Sequence, residues 1–210
     1  MKIVIASKNY SSWSLRAWLA LEQTGAPYEE SIISTADPDW HEQALRVSPS
    51  GLLPVLVDEG RRINDSLAIV EYLHERFPGA GLWPKDAADR AIARSVVAEM
   101  HSGFMALRMR MPMDIQANEP GKGHTADALA DAARIQEIWR ECRERYGRSG
   151  PFMFGPFTAA DCFYAPVVFR FRSYGVALDA TAKAYCDAMI EEKKVVKWAN
   201  AARREDRLYV

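Results

Sequence analysis

Ser50-Gly-Leu-Leu-Pro54-Val-Leu-Val-Asp58-Glu-Gly60-Arg-Arg-Ile-Asn-Asp65-Ser66-Leu-Ala-Ile-Val-Glu-Tyr-Leu73 is the stretch on which the fold of this chain turns. Pro54 has no amide hydrogen, so it opens a strand instead of lying inside a central one, and it leaves the amide and carbonyl of Leu53 free for something outside the sheet. Residues 55–57 and 61–63 then read as a hairpin turning at Asp58-Glu59-Gly60. Asp65-Ser66 opens a helix over 66–76 that Pro78-Gly79 closes, and the doublet brings a charge and a hydroxyl to a helix start. Such an arrangement suits an extended, peptide-like ligand.

Upstream, residues 2–6 form a β-branched run that ends in Ser7-Lys8-Asn9-Tyr10-Ser11-Ser12. Leu15, Trp18, Leu19 and Leu21 then mark a helix that stops near Gly25. A second strand follows over 28–33 and a short polar helix over 38–46. The order βαβαββα is that of a thioredoxin-like domain, with a parallel first βαβ unit and a later antiparallel hairpin. From residue 87 onward the spacing predicts helices only, over 87–111, 126–146, 159–174 and 180–202. The expected organisation is therefore a thioredoxin-like α/β domain over 1–77, a linker over 78–86 rich in proline and glycine, and an all-α helical bundle over 87–210.

The 210 residues are 49% hydrophobic and 26% charged, enough to bury a sizeable core, and the net charge of −1 argues against a nucleic-acid partner. Cys142, Cys162 and Cys186 are an odd number without metal-ligand spacing, so neither a disulfide framework nor a metal site is expected. No apolar run reaches the ~18 residues of a membrane span, which makes the cytoplasm the expected compartment.

A thioredoxin-like start usually carries a cysteine at the first helix, where helix-start amides stabilise a thiolate. Here that position reads Ser11-Ser12-Trp13-Ser14-Leu15-Arg16, and the first cysteine comes only at residue 142. A thiol oxidoreductase therefore lacks its nucleophile. The sulfur is expected to arrive with a ligand.

Those six residues, then Gly51-Leu-Leu-Pro54-Val-Leu, then Asp65-Ser66-Leu-Ala-Ile-Val-Glu-Tyr-Leu73, followed by an all-helical half, resemble the cytosolic glutathione transferase family. The likeness covers the whole chain and lies nearest the serine-type, zeta-like members, of the bacterial type. Their Ser-Ser-Cys-Ser-x-Arg pattern is matched except for Trp13 in place of cysteine. The resemblance implies glutathione as cosubstrate, a small electrophile as its partner, a homodimer and a role in detoxification. It also implies that Ser11, with Ser12 as the alternative, donates to the glutathione sulfur beside Trp13. Leu53 before a cis Pro54 would pair with the cysteinyl unit, and Asp65 and Ser66 would hold the γ-glutamyl end, whose ammonium suits a carboxylate and whose carboxylate suits a hydroxyl and helix-start amides. His41 on the second helix is a further candidate, for the glycyl carboxylate.

In the second half, Met100, Phe104, Leu107 and Met111 recur at helical spacing and read as core. Met105, Met109 and Met113 lie on a neighbouring stripe, and Met105, Arg108, Met109 and Trp13 are the candidates for an adaptable acceptor pocket. Arg108 suits a substrate carboxylate, whereas an exposed helical arginine more often makes a surface ion pair. His101 is a lesser candidate. Thr158 and Asp161 have capping-box spacing and read as structural.

Three functions fit. Conjugation of glutathione to apolar electrophiles stands first. A glutathione-dependent cis-trans isomerase of a maleyl-type diacid stands second, and a non-catalytic binding or assembly protein, favoured by the bulk of Trp13, stands third.

Overall fold

In the computed structural model, which describes residues 1–207, β1 (Lys2–Ala6) lies between β2 (Glu29–Ile33) and β3 (Val55–Asp58), and β4 (Arg61–Asn64) is the outer strand. β1 runs parallel to β2 and antiparallel to β3, with Val4 opposite Val55, and β3 and β4 form the expected hairpin. Every β1 residue after Lys2 is buried, as a central strand covered on both faces requires. Pro54 falls immediately before β3, outside the ladder, where its missing donor costs nothing.

α1 (Ser12–Thr24) is buried without interruption from Ser14 to Leu21, because the sheet, α3 (Ser66–Arg76), α7 (Ala159–Tyr174) and α9 (Lys193–Ala202) all pack around it. α2 (Trp40–Val47) is its opposite, a surface helix that buries only Ala44. The hinge side of the molecule, residues 78–86, holds a single 3₁₀ turn at Pro78–Ala80.

The helical half is built on α7, in which every residue but Arg172 is buried. Thr158 and Asp161 begin it with a reciprocal capping box, as their spacing predicts. Around α7 stand α4 (Ala87–Ser102), α5 (Met105–Arg110), α6 (Ala126–Tyr146) and α8 (Ala180–Glu191). Trp139 of α6 packs its ring against Tyr164, Phe171 and Tyr185 at centroid distances of 6.1, 5.4 and 4.7 Å.

Two expected helices are each broken in two. The helix expected over 87–111 stops at Gly103, whose amide donates to Glu99 O at 2.9 Å, and Phe104 then turns to φ 60 before α5 starts. The helix expected over 180–202 breaks at Glu192, which has extended geometry and separates α8 from α9. The core positions survive the first break: Met100, Phe104, Leu107 and Met111 are all buried. Among the described residues no helix is long and apolar enough to cross a membrane.

Candidate functional site: a cleft between the first helix and the β3–α3 corner

The corner from β1 into α1 sets out the two serines differently. Ser11 is the N-cap of α1 (φ −85, ψ 93); its Oγ accepts the Ser14 amide at 3.2 Å and donates to Ser14 Oγ at 2.8 Å. Ser14 Oγ in turn accepts the Ala6 amide of β1 at 3.0 Å, so strand and helix are stitched at the hydroxyl that caps the helix. Ser11 stays half-buried. Ser12 is turned inward, 5% exposed, with its Oγ accepting from Arg170 Nη2 at 3.3 Å. A hydroxyl hydrogen rotates about its C–O bond, so Ser11 is able to redirect its donor to an incoming acceptor. Ser12 has less room to do so.

A cleft of about 270 Å³ is lined by Trp13, Ser50, Leu52, Leu53, Pro54, Asn64, Asp65 and Ser66. The Leu53–Pro54 peptide on its wall is cis. Asp65 stands at φ 75, a costly conformation for a residue with a side chain, and caps α3 by accepting the amides of Leu67 and Ala68 at 2.8 and 3.3 Å. Its other oxygen lies 3.3 Å from Nε2 of His101, which reaches across from α4. The Ser66 hydroxyl is buried and has no hydrogen-bond partner among the described residues. One end of the cleft thus offers a carboxylate, an unmatched hydroxyl and the start of a helix. These are the groups that a zwitterionic α-amino acid end needs.

Trp13 forms the opposite wall, and three cationic or ionisable groups stand behind it. The guanidinium carbon of Arg16 is 4.5 Å from the indole centroid and that of Arg108 is 5.1 Å, while His101 meets the ring edge-on at 5.3 Å. Arg16 comes one helical turn after Trp13, which places the two side chains on one face. It is wholly buried, its three nitrogens lack hydrogen-bond partners among the described residues, and its guanidinium carbon also lies 5.1 Å from the Phe163 ring centroid. Burial lowers the Arg16 pKa well below its ordinary value, and Arg108 and Arg170 lower it further. Arg170, buried in α7, donates to Met111 O at 2.6 Å, and burial with Arg108 beside it brings its pKa down to about 10. The region behind the indole is strongly positive.

The acceptor-side expectations change most. Arg108 neither faces solvent nor stands free: its Nε donates to Gly103 O at 2.9 Å and its Nη2 to Met100 O, so it ties down the carbonyls freed where α4 breaks. Met105 and Met109 are 59% and 73% exposed and line no part of the cleft, and Met113, set on the same stripe in sequence, is buried core. The stripe was inferred for one continuous helix, and the break at Phe104 re-aims it. His41 is exposed on α2, stacked edge-on with Trp40 and packed against the turn at Gly51. Ser14 and Arg16 stand in the Ser-Ser-x-Ser-x-Arg motif without a role assigned from sequence, and Arg170 and Asn64 carry no signal there. Among the described residues, no group of three or more His, Cys, Asp or Glu side chains is placed to hold a metal.

Residues 10–76 match the family model described as glutathione S-transferase, N-terminal domain, and residues 91–188 match glutathione S-transferase, C-terminal domain. Among curated relatives, the probable maleylacetoacetate isomerase of Caenorhabditis elegans is 34% identical over 106 residues, 50% of each protein, so the chain spans about half the length of that relative. The stringent starvation protein A homolog of Histophilus somni is 25% identical over 163 residues, 78% of this chain and 72% of that protein. Of solved structures, a bacterial maleyl pyruvate isomerase described as a zeta-class glutathione S-transferase superposes with a TM-score of 0.76 at 24% identity, covering 99% of this chain and 100% of that one.

Proposed function

Because the chain belongs to the glutathione S-transferase family, we propose that it binds glutathione in the cleft beside Trp13 and joins its thiolate to small electrophiles. The observation that carries this reading is the pairing of the Asp65 carboxylate with the buried, unpartnered Ser66 hydroxyl at a helix start, which matches the ammonium and carboxylate of a γ-glutamyl end. Leu53, before the cis proline, supplies main-chain groups for the cysteinyl unit, and Ser11 donates to the sulfur. The greater exposure of Ser11, against a Ser12 turned in to Arg170, supports the choice between them. Ser11 and Ser12 adjoin the cleft residue Trp13 in sequence without lining the cleft themselves, and His41, which does not line it either, stands on the exposed helix α2 and is the weakest member of this set.

The energetics are sufficient without a general base. A thiol near pKa ~8.5 must fall by roughly two units to be mostly ionised at neutral pH, about 2.7 kcal/mol. One hydrogen bond to a charged acceptor contributes ~1.5–3 kcal/mol and the helix start a further ~0.3–1 kcal/mol. Residues 1–77 would hold glutathione and residues 87–210 the acceptor, in a homodimer of the cytoplasm; the three cysteines, all free and buried, suit a reducing compartment. Ser11→Ala is expected to abolish the ultraviolet absorbance of the bound thiolate at neutral pH while glutathione affinity, measured by calorimetry, stays within a few-fold. Loss of the signal in Ser12→Ala instead would transfer the role, and no binding at millimolar glutathione would leave the non-catalytic reading.

A second reading is favoured by one observation, the gathering of three guanidinium groups at the start of α1, those of Arg16 and Arg108 against the Trp13 ring and that of Arg170 on Ser12. That field stabilises an anionic acceptor, which points to the glutathione-dependent isomerisation of a maleyl-type diacid. Turnover of such a diacid faster than conjugation of a neutral electrophile would put this reading first.

A further inference from the structure

The segment that follows α9 carries a carboxylate, that of Glu205, placed at the strand-to-helix corner that carries Ser11. Glu205 accepts three donors from consecutive residues: Ser7 Oγ and the Asn9 amide, the latter at 3.0 Å, on one oxygen, and the Lys8 amide at 2.8 Å on the other. Backbone amides that converge in this way form a nest for an anion, and the anion here is covalently part of the chain. From the other side, Trp198 of α9 donates its indole N–H to Lys8 O at 2.9 Å.

A third segment closes the grip. Asn9 donates to Asp114 Oδ1 at 2.8 Å and accepts the Gln116 amide at 3.1 Å, and the Gln116 side chain donates to the carbonyls of Ala202 and Glu205 at 3.0 and 3.1 Å. The loop so held passes its geometry directly to α1, because the Ser11 amide donates to Ser7 O at 2.9 Å. Ser7 is therefore fixed by Glu205 through its hydroxyl while its carbonyl fixes Ser11.

We propose that Glu205 is a positioning residue for the thiolate: by holding Ser7, Lys8 and Asn9 it keeps Ser11 fixed at the helix start, next to the cleft residue Trp13. The proposal rests on the glutathione reading above. The γ-glutamyl end is held on a separate element, the start of α3, so loosening the 7–11 loop affects the sulfur more than the affinity.

Two measurements on the full chain test this: hydrogen exchange of the peptide covering residues 7–12 without ligand, and the thiol pKa of bound glutathione from a pH titration of thiolate absorbance. Glu205→Ala is expected to speed exchange in that peptide and to raise the thiol pKa by about one unit, a tenfold loss of thiolate below the pKa, with glutathione affinity changed less than about threefold. Glu205→Gln, which keeps the shape and one accepting oxygen, should fall between, and it carries the test if the alanine variant does not fold. Lys183→Ala removes the exposed ion pair to Asp187 on α8, outside this grip, and should leave the thiol pKa unchanged. Wild-type thiol pKa and exchange in both Glu205 variants, with glutathione bound normally, overturn the proposal alone; no glutathione binding by the wild-type protein overturns the transferase reading and this one with it.

Discussion

His101 joins the two halves at a single atom, since its Nε2 stands 3.3 Å from the carboxylate proposed to take the glutathione ammonium. Burial is the largest influence on it and lowers its pKa from the ordinary 6.5; Asp65 raises it, and Arg16 and Arg108 lower it again. The unfolded chain thus takes this proton at a higher pH than the folded one. The neutral imidazole's contribution to stability is whole above about 6.5 and is lost as the pH falls through 6.5 toward the folded value. Denaturant midpoints measured between pH 7 and 5.5 should fall, and His101→Gln should flatten part of that slope; an unchanged slope would remove His101 from the account. From sequence His101 is only a lesser candidate, because its partners Asp65, Trp13 and Phe163 lie on three other elements.

Asp161 shows how far an element can be read from its own residues. Its spacing from Thr158 identifies the capping box, and the box is present: the Thr158 amide and hydroxyl donate to one oxygen at 2.8 and 3.0 Å. The Met153 amide and the Tyr185 hydroxyl donate to the other at 3.2 and 3.1 Å, and these partners no local pattern reveals. Burial pushes the carboxyl up to about 6 against the pull of those donors. Asp161→Asn turns an amide N–H₂ toward at least one donor and is expected to cost ~1–3 kcal/mol. For a chain of this length each kcal/mol lowers Tm by about 2–4 °C. Calorimetric melting should show that loss with glutathione affinity intact, whereas lost activity at unchanged Tm would mean a chemical role.

The same element scale explains why the methionine stripe is not continuous. Met100, Phe104, Leu107 and Met111 keep helical spacing across a break, so periodicity records the buried positions and is blind to the change of direction at Phe104. Arg108 is drawn inward because the break frees carbonyls that need a donor.

At the scale of the molecule, one hydrophobic core runs from Ile3 and Ile5 of the sheet through α1 to α7 and α9, with Trp18 and Trp198 5.2 Å apart. Polar links cross the same boundary: Arg94 binds Glu71 through two nitrogens at 3.0 and 2.9 Å, and the Ala159 amide donates to Leu82 O at 2.7 Å. α1, buried on every side, belongs to both halves. Circular dichroism and tryptophan fluorescence should therefore report one coincident unfolding transition, and two separate transitions would show that the sheet half holds its structure alone.

The amino-acid sequence by itself determined the order of strands and helices over the first 76 residues, the opening of β3 at Pro54, the helix starts at Asp65 and Thr158, and the absence of a cysteine at the first helix. Each of these depends on a residue's own backbone preferences or on neighbours within a few positions. The tertiary structure alone decided that Ser12 turns in to Arg170, that Arg16 lies unpartnered under Trp13, that His101 meets Asp65, and that Glu205 grips the loop before Ser11. Those pairs are separated by as many as 198 positions and come together only when the helices close around α1. Burial then fixes their charge and hydrogen bonding, and no local pattern records it.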